Sequence, residues 1–439
     1  MPRISTEDIQ EAVNKIRKDP ITGEYKIELE RSERQEFKRR AVSITKDLNL
    51  DNDEHRISEH GVLELVRNIL TKVGEISEKS DEKTDLKEEF QKQKQKTFSE
   101  TLGNPPTEYH IVFPLNIQVL GSMPDKINLG ETTLERINYE RWNKDYLQPA
   151  LRNEDSNFES FYEENPNDPD RFSWSYWKVS YSARDAWYAM YEVHDTLQLM
   201  MAEINFLGNQ WIRTMPRPAG SGRAPRDRWS HLQMPFVLLS FHDQDFERYY
   251  ALDYDYRGGL ADRTFMPRIE SFDSLPGLYR HRRDLDDVEN LIANTLVVFQ
   301  DGITEPVFRR SFFDFWRGIE RLAGEDGLDN EDIVNRATFA LKFMMDLENG
   351  LLPETEEAIS ELATTRNKLT HEWPEARISE RHRDAAKCLL DGLLTLYLEH
   401  REEYDKDDFR YLLKFGAMTQ SGDEIEKIME ALDRLEVLD

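Results

Sequence analysis

The chain has 439 residues, a net charge of -28, ten histidines and a single cysteine, Cys388, so it is long enough for two or three domains and excludes both an intrachain disulfide framework and a cysteine-built zinc site. No run of about 18 apolar residues occurs, and the start, MPRISTEDIQ, lacks the cationic and apolar regions of a signal peptide, so a cytoplasmic protein with no membrane span is expected. An acidic surface repels nucleic acid except through a local basic cleft. Strong salt removes that repulsion, because the Debye length falls to about 3 Å at 1 M, and 27 arginines against 7 lysines from residue 145 onward resemble the acid-rich, lysine-poor style of halophilic cytosols.

Residues 1–103 read as a charged, helical N-terminal region. STED supplies a capping box for a first helix, SERQEFKRRAVSITKDL reads as a second, and GVLELVRNILTKVGEI as a third with apolar residues at helical spacing. The run SEKSDEKTDLKEEFQKQKQKTFSE is expected to be a solvated helix or a connector, having too little apolar surface to fold alone. NPPTE then punctuates the chain. YHIVFPLNIQVLG and DKINLGETTLERINY have the alternation and β-branching of strands, residues 150–176 read as a long acidic loop, and ARDAWYAMYEVHDTLQLMMAEINFLG as an amphipathic helix. After the loop MPRPAGSGRAPRDRW, HLQMPFVLLSF and RYYALDYDYR read as strands, so residues 104–300 form a mixed α+β domain.

From residue 301 the pattern is helical throughout. PVFRRSFFDFWRGIERLAG places Phe308, Phe312, Phe315, Ile319 and Leu322 on one face, and NEDIVNRATFALKFMMDLENG places Val334, Ala337, Leu341 and Met344 on another. The aromatic side chains Phe312, Phe315 and Trp316 are thereby core rather than a stacking platform. PETEEAISELATTRNKLTH gives a third helix and ISERHRDAAKCLLDGLLTLYLEH a fourth, with Leu389, Leu393 and Leu396 on its inner face. Short connections between such helices predict an antiparallel bundle over 301–405, followed by a helical tail over 406–439 whose segment DEIEKIMEALDRLEVL suits packing on the bundle or on another subunit. The fold class is α+β: a mixed N-terminal part followed by an all-α bundle of four to five helices.

Arg-x4-His is a weak signal alone, since about one such pair is expected from composition. Three occur: Arg226 with His231, Arg366 with His371, and Arg377 with His382. Only Arg366 lies in a helix of predictable geometry. There Ile359, Leu362, Ala363, Arg366 and Leu369 share one arc, so Arg366 interrupts an apolar stripe. A guanidinium buried without an acid or an anionic ligand costs several kcal/mol. His371 lies about 140° from Arg366 on a regular helix, and the two converge only at a helix end. Pro374 disfavours helical geometry at Trp373 and so ends the helix just after His371.

These residues resemble the HEPN superfamily, which carries an R-x4-6-H motif with a polar residue directly after the arginine, at the end of the third main helix of a four-helix bundle. Arg366, Asn367 and His371 match those positions, and the flanking helices match the setting over about residues 301–400. The Trp373-Pro374 pair departs from the pattern, since many relatives have a small residue there. The resemblance implies a metal-independent endoribonuclease with no cofactor, in which two bundles pair about a two-fold axis as a homodimer. It implies that an RNA 2'-OH attacks the adjacent phosphate, that His371 moves a proton, that Arg366 neutralises the phosphorane-like transition state and that Asn367 orients the phosphate or the imidazole. The layout, a large N-terminal part before such a bundle, is also that of toxins and anti-phage defence effectors, which implies an antitoxin or another regulatory partner. A non-catalytic nucleotide-binding or dimerising bundle is the other reading within the family, and a plain structural pair of Arg366 with an acid such as Glu320 the reading outside it.

Arg377, Arg381 and Arg383 follow the motif at the start of the fourth helix and are candidates for RNA backbone contacts. Arg217, Arg223, Arg226 and Arg228 make a basic loop able to guide RNA, though such loops are more often merely solvated. PAGSGRAPR has no lysine in a Walker arrangement and so does not read as a phosphate cradle. His194 and His242, each followed by an aspartate, resemble the His-Asp pairs of metal phosphohydrolases, but no further ligands stand at matched spacing and no metal is expected.

Overall fold

The computed structural model describes residues 6–14, 16–18, 25–27, 44, 50, 52–79, 85–117, 124–153, 157–164, 175–210, 232–251, 275–305, 307–325, 327–345, 351, 353–371 and 378–418. The N-terminal part begins with α1 (Thr6–Val13) and the two-stranded ribbon of β1 (Ile16–Lys18) and β2 (Tyr25–Ile27), followed by α2 (Glu59–Lys79) and α3 (Leu86–Leu102). Ile9 and Val13 of α1, Ile16 of β1, the α2 residues Val62, Val66, Ile69, Leu70 and Val73, and Phe90 of α3 make a small core of their own. The lysine- and glutamate-rich run expected to be a solvated helix or a connector is helical from Leu86. Asp85 caps it by accepting the backbone N–H groups of Lys87 and Glu88 at 3.0 and 3.2 Å, and Leu86 and Phe90 give it just enough apolar surface to lie on its neighbours. The helix expected over SERQEFKRRAVSITKDL falls, but for Ile44, outside the described residues.

The middle of the chain builds a six-stranded antiparallel sheet from β3 (Thr107–Leu115), β4 (Lys126–Asn128), β5 (Thr133–Ile137), β6 (Ser175–Ala183), β7 (Val237–His242) and β8 (Asp245–Ala251), in the order β4-β5-β6-β3-β7-β8. Strand alternation sends Ile111, Phe113, Trp177, Val179 and Leu238 to one face, where α4 (Ala186–Asn209) covers them. Val112, Tyr176, Leu239 and Phe241 go to the other, under Trp142, Tyr146 and Phe158. Those three come from short helical pieces at 139–151, including a π-helical stretch Trp142–Leu147, and at Phe158–Glu164. The acidic loop expected over 150–176 is thus partly a helical cover, because Phe158 and its neighbours turn an apolar side to the sheet. Its last residues already belong to β6, which the acid and proline content ahead of it concealed. β6 is no edge strand: it pairs with β5 on one side and with β3, in register His110↔Ser180, on the other.

The C-terminal part is helical: α5 (Asp287–Thr304), α6 (Phe308–Ala323), α7 (Asn330–Met345), α8 (Pro353–His371), α9 (Glu380–His400) and α10 (Lys406–Met418). The helical texture begins before residue 301, since α5 starts from a capping box at Asp286 and Glu289. α9 lies at the centre, with α6, α7 and α8 packed on it and Leu389, Leu393 and Leu396 fully buried. Gly392 permits the close crossing with α7, because a Cβ there would lie 2.5 Å from the Leu341 Cα. The sheet's α4-side core runs on into these helices without a break, through contacts such as Phe206 of α4 against Phe299 of α5 at 5.3 Å. Residues 419–439, including DEIEKIMEALDRLEVL, lie outside the described residues.

Candidate active site at the end of α8

The apolar stripe of α8 packs as its spacing predicts, with Ile359, Leu362 and Leu369 buried. Arg366 sits in that stripe on the side facing α6. Its Nη2 donates to Glu320 Oε1 at 3.4 Å, and its guanidinium carbon lies 5.6 Å from the centre of the Phe313 ring. Glu320 Oε1 also accepts the Trp316 indole N–H at 2.5 Å, so α6 supplies a ring, an indole and a carboxylate to one guanidinium. The pair is half-buried, with side-chain exposures of 22% for Arg366 and 37% for Glu320.

Asn367, the next residue, is exposed, and its Oδ1 accepts from Asn330 Nδ2 at 2.6 Å. Glu320 and Asn330, the partners of Arg366 and Asn367, both line a groove of about 580 Å³ between the end of α6, the start of α7 and the start of α10. His371 is the last residue of α8, where the Trp373-Pro374 pair predicts an end. Its side chain, like Arg377, lies outside the described residues.

The remaining arginines of the motif's surroundings differ from one another. Arg381 is half-exposed at the start of α9, with Nη1 on Glu357 and Nη2 on Glu361, both at 2.8 Å. His382 closes the α9 capping box, taking the Ser379 N–H on Nδ1 at 3.4 Å and facing Glu361 through Nε2 at 3.0 Å. Together His382 and Arg381 hold the Glu361 carboxyl below its usual value. The Arg377-x4-His382 spacing thus belongs at its histidine to a helix cap. Arg383 corrects the expectation of an RNA contact: its side chain is 2% exposed, stacked 4.4 Å over Phe308 and hydrogen-bonded to Asp384 and Glu380. A helix start places one side in three inward, and Arg383 is on that side.

Arg217, Arg223, Arg226 and Arg228 lie outside the described residues. His194 faces its neighbour Asp195 at 3.0 Å and His242 its neighbour Asp243 at 3.7 Å. Among the described residues no group of three or more His, Cys, Asp or Glu side chains is placed to hold a metal ion, and no helix is long and apolar enough to cross a membrane.

Glu320 was legible in advance as an acid on the neighbouring helix, whereas Asn330 was not. A contact between residues 37 apart at the start of one helix and near the end of another leaves no periodic trace. Comparison with protein-family models, curated proteins and solved structures gives no match to this chain.

Proposed function

We propose that the chain is a metal-independent endoribonuclease whose C-terminal helices form a HEPN bundle and work as a homodimer. The observation that carries this reading is a guanidinium set into the buried stripe of α8 yet still partly exposed, paired with a carboxylate on the wall of a groove. A phosphate can replace that carboxylate, because an arginine fork binds phosphate and carboxylate oxygens in the same geometry.

In the proposed reaction the RNA 2'-oxygen forms a bond to the adjacent phosphorus and the bond from phosphorus to the 5'-oxygen breaks. His371 of one subunit takes the 2'-OH proton, and the second copy of His371 returns a proton to the leaving 5'-oxygen. Arg366 offsets the charge that builds on the phosphorane oxygens, and Asn367 orients the phosphate. Arg381 remains a candidate backbone contact only if RNA displaces Glu357 and Glu361, and Arg383 takes no part. The part of the chain before α5 then has room for a regulatory role, as in a toxin or an anti-phage effector held by a partner.

A second reading, a bundle that binds a nucleotide or dimerises without cutting, is favoured by the Arg366–Glu320 pair itself, which gives the guanidinium an acidic partner with no substrate present. Labelled RNA incubated with the protein and a chelator separates the two. The first reading expects cleavage with 2',3'-cyclic phosphate ends, lost by about 10²-fold or more in Arg366→Ala and His371→Ala variants that remain folded. Parental rates in those variants, or no cleavage of any RNA by the dimer, would leave the second.

A further inference from the structure

Residues 279–284, YRHRRD, put three arginines and a histidine in four consecutive positions of a chain whose net charge is -28. They form one wall of a cavity of about 280 Å³; the others are the β4–β5 turn, Tyr181 at the end of β6, and the first half of α4. The wall is held firmly. Glu203, fully buried on α4, accepts the backbone N–H groups of Gly277 and Tyr279 at 2.8 and 3.1 Å. On the opposite side Gly130, with φ +89°, packs so tightly that a Cβ there would run into the Arg280 carbonyl.

Most acids around the cavity are already engaged. Glu131 pairs with Arg56 at 2.9 Å, Glu192 with Arg282 and Arg283, each at 2.9 Å, and Asp195 with Arg282 at 3.2 Å. Asp284, exposed at the rim, is the remaining one. Arg280 differs from its neighbours: among the described residues its guanidinium makes one hydrogen bond, from Nε to the Tyr279 hydroxyl at 3.2 Å. The Tyr181 hydroxyl accepts from Arg283 at 3.0 Å, and among the described residues nothing accepts its own proton. Burial pushes Tyr181 up to about 12, so it keeps that proton at neutral pH.

We infer that this cavity binds a small phosphate-bearing molecule, with Arg280 and the Tyr181 hydroxyl donating to its phosphoryl oxygens and His281 and Arg282 at its mouth. Arg280 and Tyr181 both line the cavity and each keeps a donor that no described residue takes up, which suits an acceptor-rich ligand, and phosphoryl oxygens accept several charge-assisted bonds at once. A bare phosphate would leave most of the space unfilled. At about 280 Å³ the cavity stands just under the roughly 300 Å³ at which pockets for organic ligands begin, so the ligand is a small one, no larger than a mononucleotide, its uncharged part against Leu129 and Val193. The site lies where three parts of the chain meet. Arg283 donates to Tyr188, which donates to Asp53 of the N-terminal part, and Asp286, two residues beyond the cavity wall, caps the first C-terminal helix.

Calorimetric titration of the full chain with pyrophosphate, a mononucleotide and the matching nucleoside tests this. The expected result is saturable binding of a phosphate-bearing ligand that weakens with salt, and no binding of the nucleoside. Arg280→Ala is expected to weaken binding about tenfold or more. Tyr181→Phe, which keeps the ring but removes the hydroxyl together with the bond it accepts from Arg283, is expected to weaken it several-fold with the protein still folded, and that arm stands even where Arg280→Ala fails to fold. Equal affinity for nucleoside and nucleotide, no saturable binding by the parent, or a folded Tyr181→Phe protein that binds like the parent would each overturn the assignment.

Discussion

Glu320 is the side chain on which the two readings of the α8 site divide. An ion pair still partly exposed is worth about 0.2–1 kcal/mol, so Glu320→Gln is expected to change stability by less than about 1 kcal/mol while the amide still accepts from Trp316. If Arg366 is a phosphate ligand, removing its competing carboxylate should raise RNA affinity in a filter-binding or anisotropy assay; an affinity that stays put or falls would argue for a structural pair. Glu203 is a residue of the opposite kind. Burial pushes its carboxyl up to about 7, against the Gly277 and Tyr279 N–H groups that favour the charged form. A carboxyl raised in the folded state contributes fully below its ordinary value of 4.5 and loses that contribution as pH rises through 7. Glu203→Gln, with nothing to ionise, should therefore gain on the parent by about 3 kcal/mol across that window in denaturant titrations. A stability difference independent of pH would show that Glu203 does not titrate there.

Between elements, the seam of α4, α5 and α9 is held by a buried charge pair. Lys387 and Asp391 of α9 are 1% and 0% exposed and 2.7 Å apart. Lys387 also donates to the Asn209 carbonyl at the end of α4 at 2.7 Å and lies 5.1 Å over the Phe299 ring of α5. Deleting one member of such a pair strands a buried charge, at a cost of about 3–5 kcal/mol, whereas replacing both by apolar side chains of similar size is often close to neutral. Lys387→Met is accordingly expected to lower the unfolding free energy by about that amount and Lys387→Met with Asp391→Leu to recover most of it, as read by chemical denaturation. The joint between α2, α3 and α4 is polar as well: Arg184 donates to the carbonyls of His55, Thr101, Leu102 and Asn104, and Asp185 accepts from Ser58 and Tyr188. Neither joint was readable beforehand. The elements themselves were, wherever one face is apolar at a clear period, as in α2, α4 and α6 to α9. β6 escaped although WKVSYSA alternates, with Trp177, Val179, Tyr181 and Ala183 buried and Lys178, Ser180 and Ser182 less so, because it lies in a short gap between the acidic, proline-bearing stretch and the strong helical pattern of α4.

For the whole molecule, a charge of -28 makes self-repulsion a global term that salt relieves. Raising salt from about 0.1 to 1 M shortens the Debye length from about 10 to about 3 Å, so the thermal midpoint is expected to rise by several degrees in scanning calorimetry. A midpoint that falls would mean that attractive pairs such as Arg381 with Glu357 and Glu361 outweigh the repulsion. The sequence by itself determined the helical content, most of the strands and the place of Arg366 within the α8 stripe, because periodicity and caps act over a few residues. Only the tertiary structure decided which side of α9 buries Arg383, that Glu320 and Asn330 meet Arg366 and Asn367, and that the YRHRRD segment walls a cavity, because those depend on which elements pack together and at what register, and long-range packing has no period along the chain.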